Sequence, residues 1–94
     1  MARRNEQIEA EWNAYSQRFA TSLRSARERA GLSQEDVAYR AGLTRYTYQK
    51  YEKGESRPGS PANPTLRTLL ALAQVLDLPL ASLIPADAPD LRAR

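Results

Sequence analysis

A chain of 94 residues with 41% hydrophobic content is long enough for one compact domain and too short for two. The absence of cysteine and histidine excludes disulfide bonds and thiolate metal sites, and it removes the commonest general base and the commonest metal ligand. The net charge of +3 is unevenly spread, because residues 18–57 contain nine basic and five acidic residues and so carry +4.

The sequence also limits where the protein acts and what chemistry it performs. No run of about 18 to 20 apolar residues is present, and the N-terminal residues lead into acidic ones rather than into an apolar signal region. We therefore expect a soluble, cytoplasmic protein without membrane contact. The acidic residues are scattered among basic ones along helical faces, so we expect no enzymatic activity, no metal, no cofactor and no small-molecule ligand.

The first predicted element is a long amphipathic helix from Asn5 to Ala30, a stretch without glycine or proline. Its apolar residues recur at steps of three and four: Ile8, Trp12, Tyr15, Phe19, Leu23 and Ala26. Gly31 ends the helix, because glycine best tolerates the left-handed conformation that follows a helix C-terminus.

Two short helices follow, with a short turn between them. Ser33 and Asp36 have the spacing of a helix-capping pair, so the second helix begins at this point. Gly42 ends this helix after about two turns, and Thr44 caps a third helix that continues to Lys53.

The third helix has two different faces when its residues are placed 100° apart. One side contains Tyr48 and Tyr51, which we expect to pack inward. The other side is polar and basic, and it consists of Tyr46, Gln49, Lys50 and Lys53 with Arg45 beside them. This second side is expected to point outward.

The sequence of the C-terminal part of the chain predicts a loop followed by two further helices. After Gly54, the segment from Glu55 to Pro64 is rich in proline, glycine and serine and predicts a loop. Thr65 caps a fourth helix, TLRTLLALAQVLDL, with an apolar stripe suited to the centre of a small bundle: Leu66, Leu69, Leu70, Ala73 and Leu76. A short fifth helix from Leu80 to Ile84 precedes a tail without periodicity, residues 86–94.

Two short helices joined by a glycine-containing turn, the second with a basic outer face, have the geometry of a DNA recognition unit. The string GLSQEDVAYRAGLTRYTYQKYEKGESRP, followed by NPTLRTLLALAQVLDLPLASLI, resembles the Xre/Cro-like helix-turn-helix family of bacterial and phage repressors over residues 19–84. The resemblance depends on an ordered set of features: a Gly-Leu-Ser-Gln opening, Ala38, an Ala-Gly-Leu turn, a Glu-x-Gly ending and the leucine-rich fourth helix. It implies an all-α, five-helix, lambda-repressor-like DNA-binding domain, here with an extended N-terminal helix.

The resemblance also implies which residues contact DNA. The family places the first residues of its third helix on base edges, so Arg45, Tyr46 and Lys50 are the predicted base-contacting residues, together with Gln34, which resembles a family glutamine. Arginine can donate two hydrogen bonds to guanine O6 and N7, which makes Arg45 the most discriminating of the four. The residues predicted to contact the DNA backbone are Ser33, Thr44, Thr47, Gln49, Lys53 and Arg57.

These assignments have structural alternatives. Arg45, Lys50 and Lys53 could form a solvated helix face, Tyr46 could pack across the turn, and Gln34 could only occupy the first turn of its helix. Arg27 and Glu52 match a family ion pair that connects the first helix to the end of the third. Tyr48 and Tyr51 take positions where the family has aliphatic core residues, so we expect their hydroxyls to reach the domain edge.

The sequence departs from the family pattern in two segments. The loop after Gly54 is longer than usual, and only Arg57 keeps a predicted phosphate contact there. The first helix begins earlier than a five-helix core requires, which adds Ile8, Trp12 and Tyr15 as a candidate dimer interface. The alternative for these three residues is packing against the fourth and fifth helices of the same chain.

We therefore divide the chain into an N-terminal helical extension (1–17), a helix-turn-helix DNA-binding domain (18–85) and a flexible C-terminal tail (86–94). The predicted function is sequence-specific binding of double-stranded DNA at the nucleoid by a homodimeric transcription regulator, a repressor that occludes promoters and reads an inverted repeat. The alternative is a protein-interaction module, such as an antitoxin or adaptor, whose DNA binding is secondary. An enzyme is least favoured, because no pocket with convergent ionisable groups is evident.

Overall fold

The computed structural model describes residues 5–92, which form five helices and one two-stranded hairpin. The elements in chain order are α1 (Asn5–Ala30), α2 (Gln34–Arg40), α3 (Arg45–Lys53), β1 (Glu55–Arg57), β2 (Ser60–Pro61), α4 (Leu66–Val75) and α5 (Leu80–Leu83). The predicted all-α, five-helix architecture is confirmed, and α1 has the predicted bounds. The ends of the predicted extension and tail, residues 1–4 and 93–94, lie outside the described residues.

The helix boundaries follow from the local signals in the sequence. Gly31 has a φ of 72° and ends α1, and the amide of Asp36 donates to Ser33 Oγ at 3.0 Å to begin α2. The amide of Ser33 donates back to Asp36 Oδ2 at 3.4 Å, which completes the capping box. Thr44 caps α3 in the same way by accepting from the amide of Thr47 at 3.0 Å.

The segment after α3 is a hairpin, where the sequence predicts only a loop. Glu55 pairs with Pro61 and Arg57 with Ser60, and the amide of the following residue, Ala62, donates to the carbonyl of Gly54 at 2.9 Å. The turn of this hairpin is Pro58-Gly59, in which Gly59 has a φ of 82°, as the second central position of a type II turn requires. Strands of three and two residues are too short to show an alternating hydrophobic pattern, so the sequence contained no strand signal.

The core lies where α1, α2, α3, α4 and α5 meet. Its fully buried side chains are Leu23, Val37, Tyr48, Leu72 and Leu83. Burying a leucine or valine side chain stabilises the fold by about 1.5–3 kcal/mol, so these residues account for much of what holds the short helices in place. Along the described chain, no helix combines the length and apolarity needed to cross a membrane.

The apolar stripe predicted on α4 is only partly inward-facing. Ala73 and Leu76 are buried as expected, but Leu66 is 65% exposed and Leu70 is 42% exposed, and Leu72 is buried instead. The helix also ends at Val75 rather than Leu78. The predicted stripe was too wide, because α4 packs through a narrower face than its leucine content indicates.

The described part of the N-terminal extension packs against its own chain. Tyr15 is buried and donates its hydroxyl to the carbonyl of Pro85 at 2.7 Å, and the ring of Trp12 stacks on the ring of Tyr15 with centroids 5.9 Å apart. The guanidinium of Arg18 lies 5.5 Å from the Tyr15 ring centroid and donates to the carbonyls of Ala86 and Asp87. These contacts hold the start of the predicted tail against α1.

Candidate nucleic-acid interface

The turn between α2 and α3 sets the orientation of α3 on the domain surface. Gly42 has a φ of 75°, and the amide of Leu43 donates to the carbonyl of Ala38 at 2.8 Å. Leu43 is half-buried and packs against the core, which fixes the start of α3. The inner face of α3 then contributes Tyr48 to the core, so its opposite face is directed into solvent.

The outer face of α3 presents cationic and aromatic side chains to solvent. Tyr46 is 67% exposed and does not pack across the turn, and Lys50 Nζ lies 4.6 Å from the centroid of its ring. Arg45 Nη1 lies 3.9 Å from Glu35 Oε2, but both side chains are largely exposed. An exposed pair of this kind is worth under about 1 kcal/mol, so Arg45 can exchange Glu35 for another partner.

The predicted backbone-contacting residues occupy the edges of this face. The hydroxyls of Ser33 and Thr44 serve as helix caps, and Thr44 Oγ1 also donates to Thr47 Oγ1 at 3.0 Å. Lys53 at the end of α3 and Arg57 in β1 are exposed. These two cations follow the basic residues of α3 along the chain.

Gln34 and Gln49 form a connected pair at the inner edge of the outer face. Gln49 Nε2 donates to Gln34 Oε1 at 3.1 Å, and Gln34 Nε2 donates to Glu52 Oε1 at 3.0 Å. Because a carboxylate only accepts hydrogen bonds, Glu52 determines which end of the Gln34 amide points inward. Gln34 is therefore held by α3 and does more than occupy the first turn of α2.

Glu52 is the centre of this buried network. It is 3% exposed, and Arg27 donates to both of its carboxylate oxygens, from Nε at 2.6 Å and from Nη2 at 3.2 Å. Arg27 Nη1 also donates to the carbonyl of Leu32 at 3.0 Å, and Tyr48 donates its hydroxyl to Glu52. The two residues of the predicted ion pair thus lie in direct contact and join α1 to α3.

The protonation states of the network follow from its geometry. Burial alone would raise the pKa of Glu52, but hydrogen bonds from Arg27, Tyr48 and Gln34 outweigh burial and lower that pKa below its ordinary value. Burial, and then the hydrogen bond to Glu52, raise the pKa of Tyr48 far above its ordinary value. The hydrogen bond with Glu52 raises the pKa of Arg27. The network therefore consists of a carboxylate, a neutral phenol and a guanidinium at neutral pH.

Three residues of this region were not singled out from the sequence. Arg24 donates from Nη2 to the carbonyl of Glu52 at 3.0 Å and lies one turn before Arg27 on the same face of α1, a spacing that could have identified it. Ser16 and Gln17 donate to the carbonyls on either side of the hairpin that the sequence did not predict, so no local signal pointed to them. Within residues 5–92, no group of acidic, cysteine or histidine side chains could hold a metal ion.

Comparisons with known proteins agree with this geometry. The sequence pattern of a family described as helix-turn-helix domain matches residues 18–83. Among solved structures, the restriction-modification controller protein C.AhdI from Aeromonas hydrophila is 36% identical in sequence and superposes with a TM-score of 0.65. The similarity covers 74% of this chain and 97% of that one. No curated protein matches the sequence.

Proposed function

Because the chain belongs to the helix-turn-helix domain family, of the Xre/Cro-like type, we propose that it binds double-stranded DNA sequence-specifically as a transcription regulator. The observation that carries the proposal is the outer face of α3, where the exposed side chains of Arg45 and Tyr46 and the half-buried Lys50 lie on a helix whose opposite face is buried. A helix held in this way fits the major groove, which is about 12 Å wide.

Within the proposed complex, each residue of the face has a defined task. Arg45 reads guanine through two hydrogen bonds, Lys50 contacts a neighbouring base, and Tyr46 contacts a thymine methyl group or a phosphate. Gln34 presents the amide hydrogen that Glu52 does not use, at the edge of the groove. The helix caps together with Gln49, Lys53 and Arg57 hold the DNA backbone and set the register.

The regulator acts as a homodimer on an inverted repeat at the nucleoid and represses by occluding a promoter. One recognition helix reads only a few base pairs, whereas a two-fold dimer reads two half-sites about 34 Å apart. The chain is organised as the extension 1–17, the DNA-binding domain 18–85 and the tail 86–94, and neither flanking segment enters the groove.

Two surfaces compete for the dimer interface. The first is the candidate set Ile8, Trp12 and Tyr15, although Tyr15 is already buried within its own chain. The second is the pair of exposed leucines on α4, Leu66 and Leu70, which lie one turn apart. Sedimentation equilibrium of Trp12→Ala and Leu70→Ala separates the two, because only the variant at the true interface loses the dimer.

Selection of bound duplexes from a random DNA library tests the function. We expect a palindromic consensus with guanine at the position that Arg45 contacts. Equal binding of all duplexes that collapses as salt is raised would show only non-specific attraction to phosphate and would contradict the proposal.

A second candidate function, an antitoxin-like or adaptor protein, is favoured by the same exposed leucines of α4. An exposed apolar patch on a small domain can bind a different protein as readily as a second copy of the same chain. If Leu66 and Leu70 serve this function, the chain is monomeric in solution and the library selection yields no consensus.

A further inference from the structure

The two segments that depart from the family pattern contact each other. Ser16 is 2% exposed and donates from Oγ to the carbonyl of Ala62 at 2.9 Å, directly after β2. The next residue, Gln17, donates from Nε2 to the carbonyl of Lys53 at 3.1 Å, directly before Gly54 and β1. Consecutive residues of α1 therefore bind the last residue of α3 and the residue that follows β2, which lie on either side of the hairpin.

The base of the hairpin is shaped to admit Gln17. Gly54 has a φ of 76°, and a Cβ built on it would lie 2.5 Å from Gln17 Nε2 and 2.8 Å from Gln17 Cδ. Glycine at this position therefore satisfies the left-handed end of α3 and also leaves room for the Gln17 amide. The amide of Ala62 donates to the carbonyl of Gly54, so the same point closes the hairpin.

A hairpin of this size requires support from another element. An isolated two-stranded hairpin is marginally stable in water, and this one pairs only Glu55 with Pro61 and Arg57 with Ser60. A pocket of about 240 Å³ lies next to this contact, between Trp12 and Phe19 of α1 and the two residues Asn63 and Pro64 that follow the hairpin. Ser16 and Gln17 add to the contacts of α1 two hydrogen bonds at the residues on either side of the hairpin, Ala62 and Lys53.

We infer that Ser16 and Gln17 are positioning residues that hold the hairpin against α1 so that Arg57 contacts the DNA backbone beside the groove occupied by α3. The inference rests on the proposed function, and it assigns the end of the N-terminal extension to DNA binding rather than to dimerisation. Arg57 is exposed in β1, four residues after the exposed Lys53, so the hairpin carries the next cation along the chain after α3. The position of the Arg57 guanidinium relative to α3 is fixed only if the base of the hairpin is held against α1.

Salt-dependent DNA binding tests the inference. A protein that loses one phosphate contact has a slope of log affinity against log salt that is shallower by about 0.9. We expect this change, for each bound subunit, in Arg57→Ala, in Gln17→Ala and in Ser16→Ala. We expect no further change when Gln17→Ala and Arg57→Ala are combined. Gln74→Ala, which removes an exposed glutamine from α4, is the matched control and keeps the original slope.

The outcomes separate the inference from the proposed function. If the unaltered protein binds no duplex DNA, the proposed function fails. If it binds DNA but Gln17→Ala keeps the slope, or adds its effect to that of Arg57→Ala, the positioning role is wrong while the function stands.

Amide hydrogen exchange in the free protein provides a readout that does not depend on DNA. In Ser16→Ala and Gln17→Ala, the Ala62 amide should exchange at least about tenfold faster, because the hairpin opens locally. The Leu43 amide in the turn between α2 and α3 should keep its rate, which shows that the variants remain folded. Unchanged protection at Ala62 in both variants would overturn the inference.

Discussion

Tyr48 and Glu52, one turn apart on α3, are joined by a hydrogen bond from the phenol hydroxyl to Oε2, and the two residues are 0% and 3% exposed. The expectation that the Tyr48 hydroxyl reaches the domain edge is therefore wrong. Its partner is an internal carboxylate, which Arg27 neutralises from α1. A residue that fills the core thus also supplies a donor to the ion pair that joins the first and third helices.

Tyr48→Phe should lower the free energy of unfolding by about 1.5–3 kcal/mol, the usual value of a hydrogen bond to a charged group. The ring still fills the core, but one oxygen of Glu52 loses a donor. Urea denaturation at neutral pH measures the difference. Tyr39→Phe is the matched control, because Tyr39 is 85% exposed, and a loss of equal size in that variant would contradict the assignment.

Arg27→Ala should lower the free energy of unfolding by about 3–5 kcal/mol, since it leaves the carboxylate of Glu52 buried without its principal partner. Thermal unfolding followed by circular dichroism reports the effect. Arg29→Ala on the exposed side of α1 serves as the control and should change stability little. An unaltered melting temperature in Arg27→Ala would mean that the pair is open to solvent.

The stability of the protein should fall in acid because the pKa of Glu52 is lower in the folded state than in the unfolded state. Below about pH 4.5, the ordinary value for glutamate, the unfolded state binds the proton first, so stability decreases as pH falls toward the folded-state pKa. Above this range the contribution of Glu52 is fully present. Urea midpoints measured between pH 7 and pH 3 should show a steeper decline for the unaltered protein than for Glu52→Gln.

Gly54→Ala should be more destabilising than Gly42→Ala, although the two glycines have nearly the same φ, 76° and 75°. Both substitutions should lower the free energy of unfolding by about 1–2 kcal/mol, because alanine disfavours the left-handed backbone conformation. At Gly42 an added Cβ meets nothing within 4 Å, whereas at Gly54 it displaces Gln17 and breaks a hydrogen bond worth about 0.5–1.5 kcal/mol. When each glycine substitution is made separately in the Gln17→Ala variant, Gly54→Ala should no longer be more destabilising than Gly42→Ala. A difference that persists there would mean that the added Cβ at Gly54 disturbs another contact.

Arg45→Ala and Lys53→Ala should weaken DNA binding in different ways. Removing a base contact from Arg45 should relax the preference at one base pair and cost about 1–3 kcal/mol on the preferred sequence only. Removing a phosphate contact from Lys53 should weaken all sequences about equally and make the salt slope shallower by about one. Library selection and salt titration of both variants measure these two effects. If only Lys53→Ala relaxed the sequence preference, Lys53 would be the base-contacting residue and the assignment to Arg45 would be wrong.

The sequence by itself determined the local features of this protein. The bounds of α1, the caps at Ser33, Thr44 and Thr65, and the outward direction of the basic face of α3 all depend on interactions within about four residues. Such interactions can be read from spacing, because helical periodicity and capping act over a single turn. The five-helix architecture followed from these elements and from the family resemblance.

Apart from the Arg27–Glu52 pair, which the family resemblance implied, only the tertiary structure decided which distant residues meet. Glu52 also accepts from Gln34 of α2, Ser16 and Gln17 bind residues on either side of a hairpin more than 30 positions away, and Leu66 and Leu70 remain outside the core. The physical reason is that the relative placement of packed elements depends on side-chain fit across the whole interior. No short-range signal in the sequence encodes that fit.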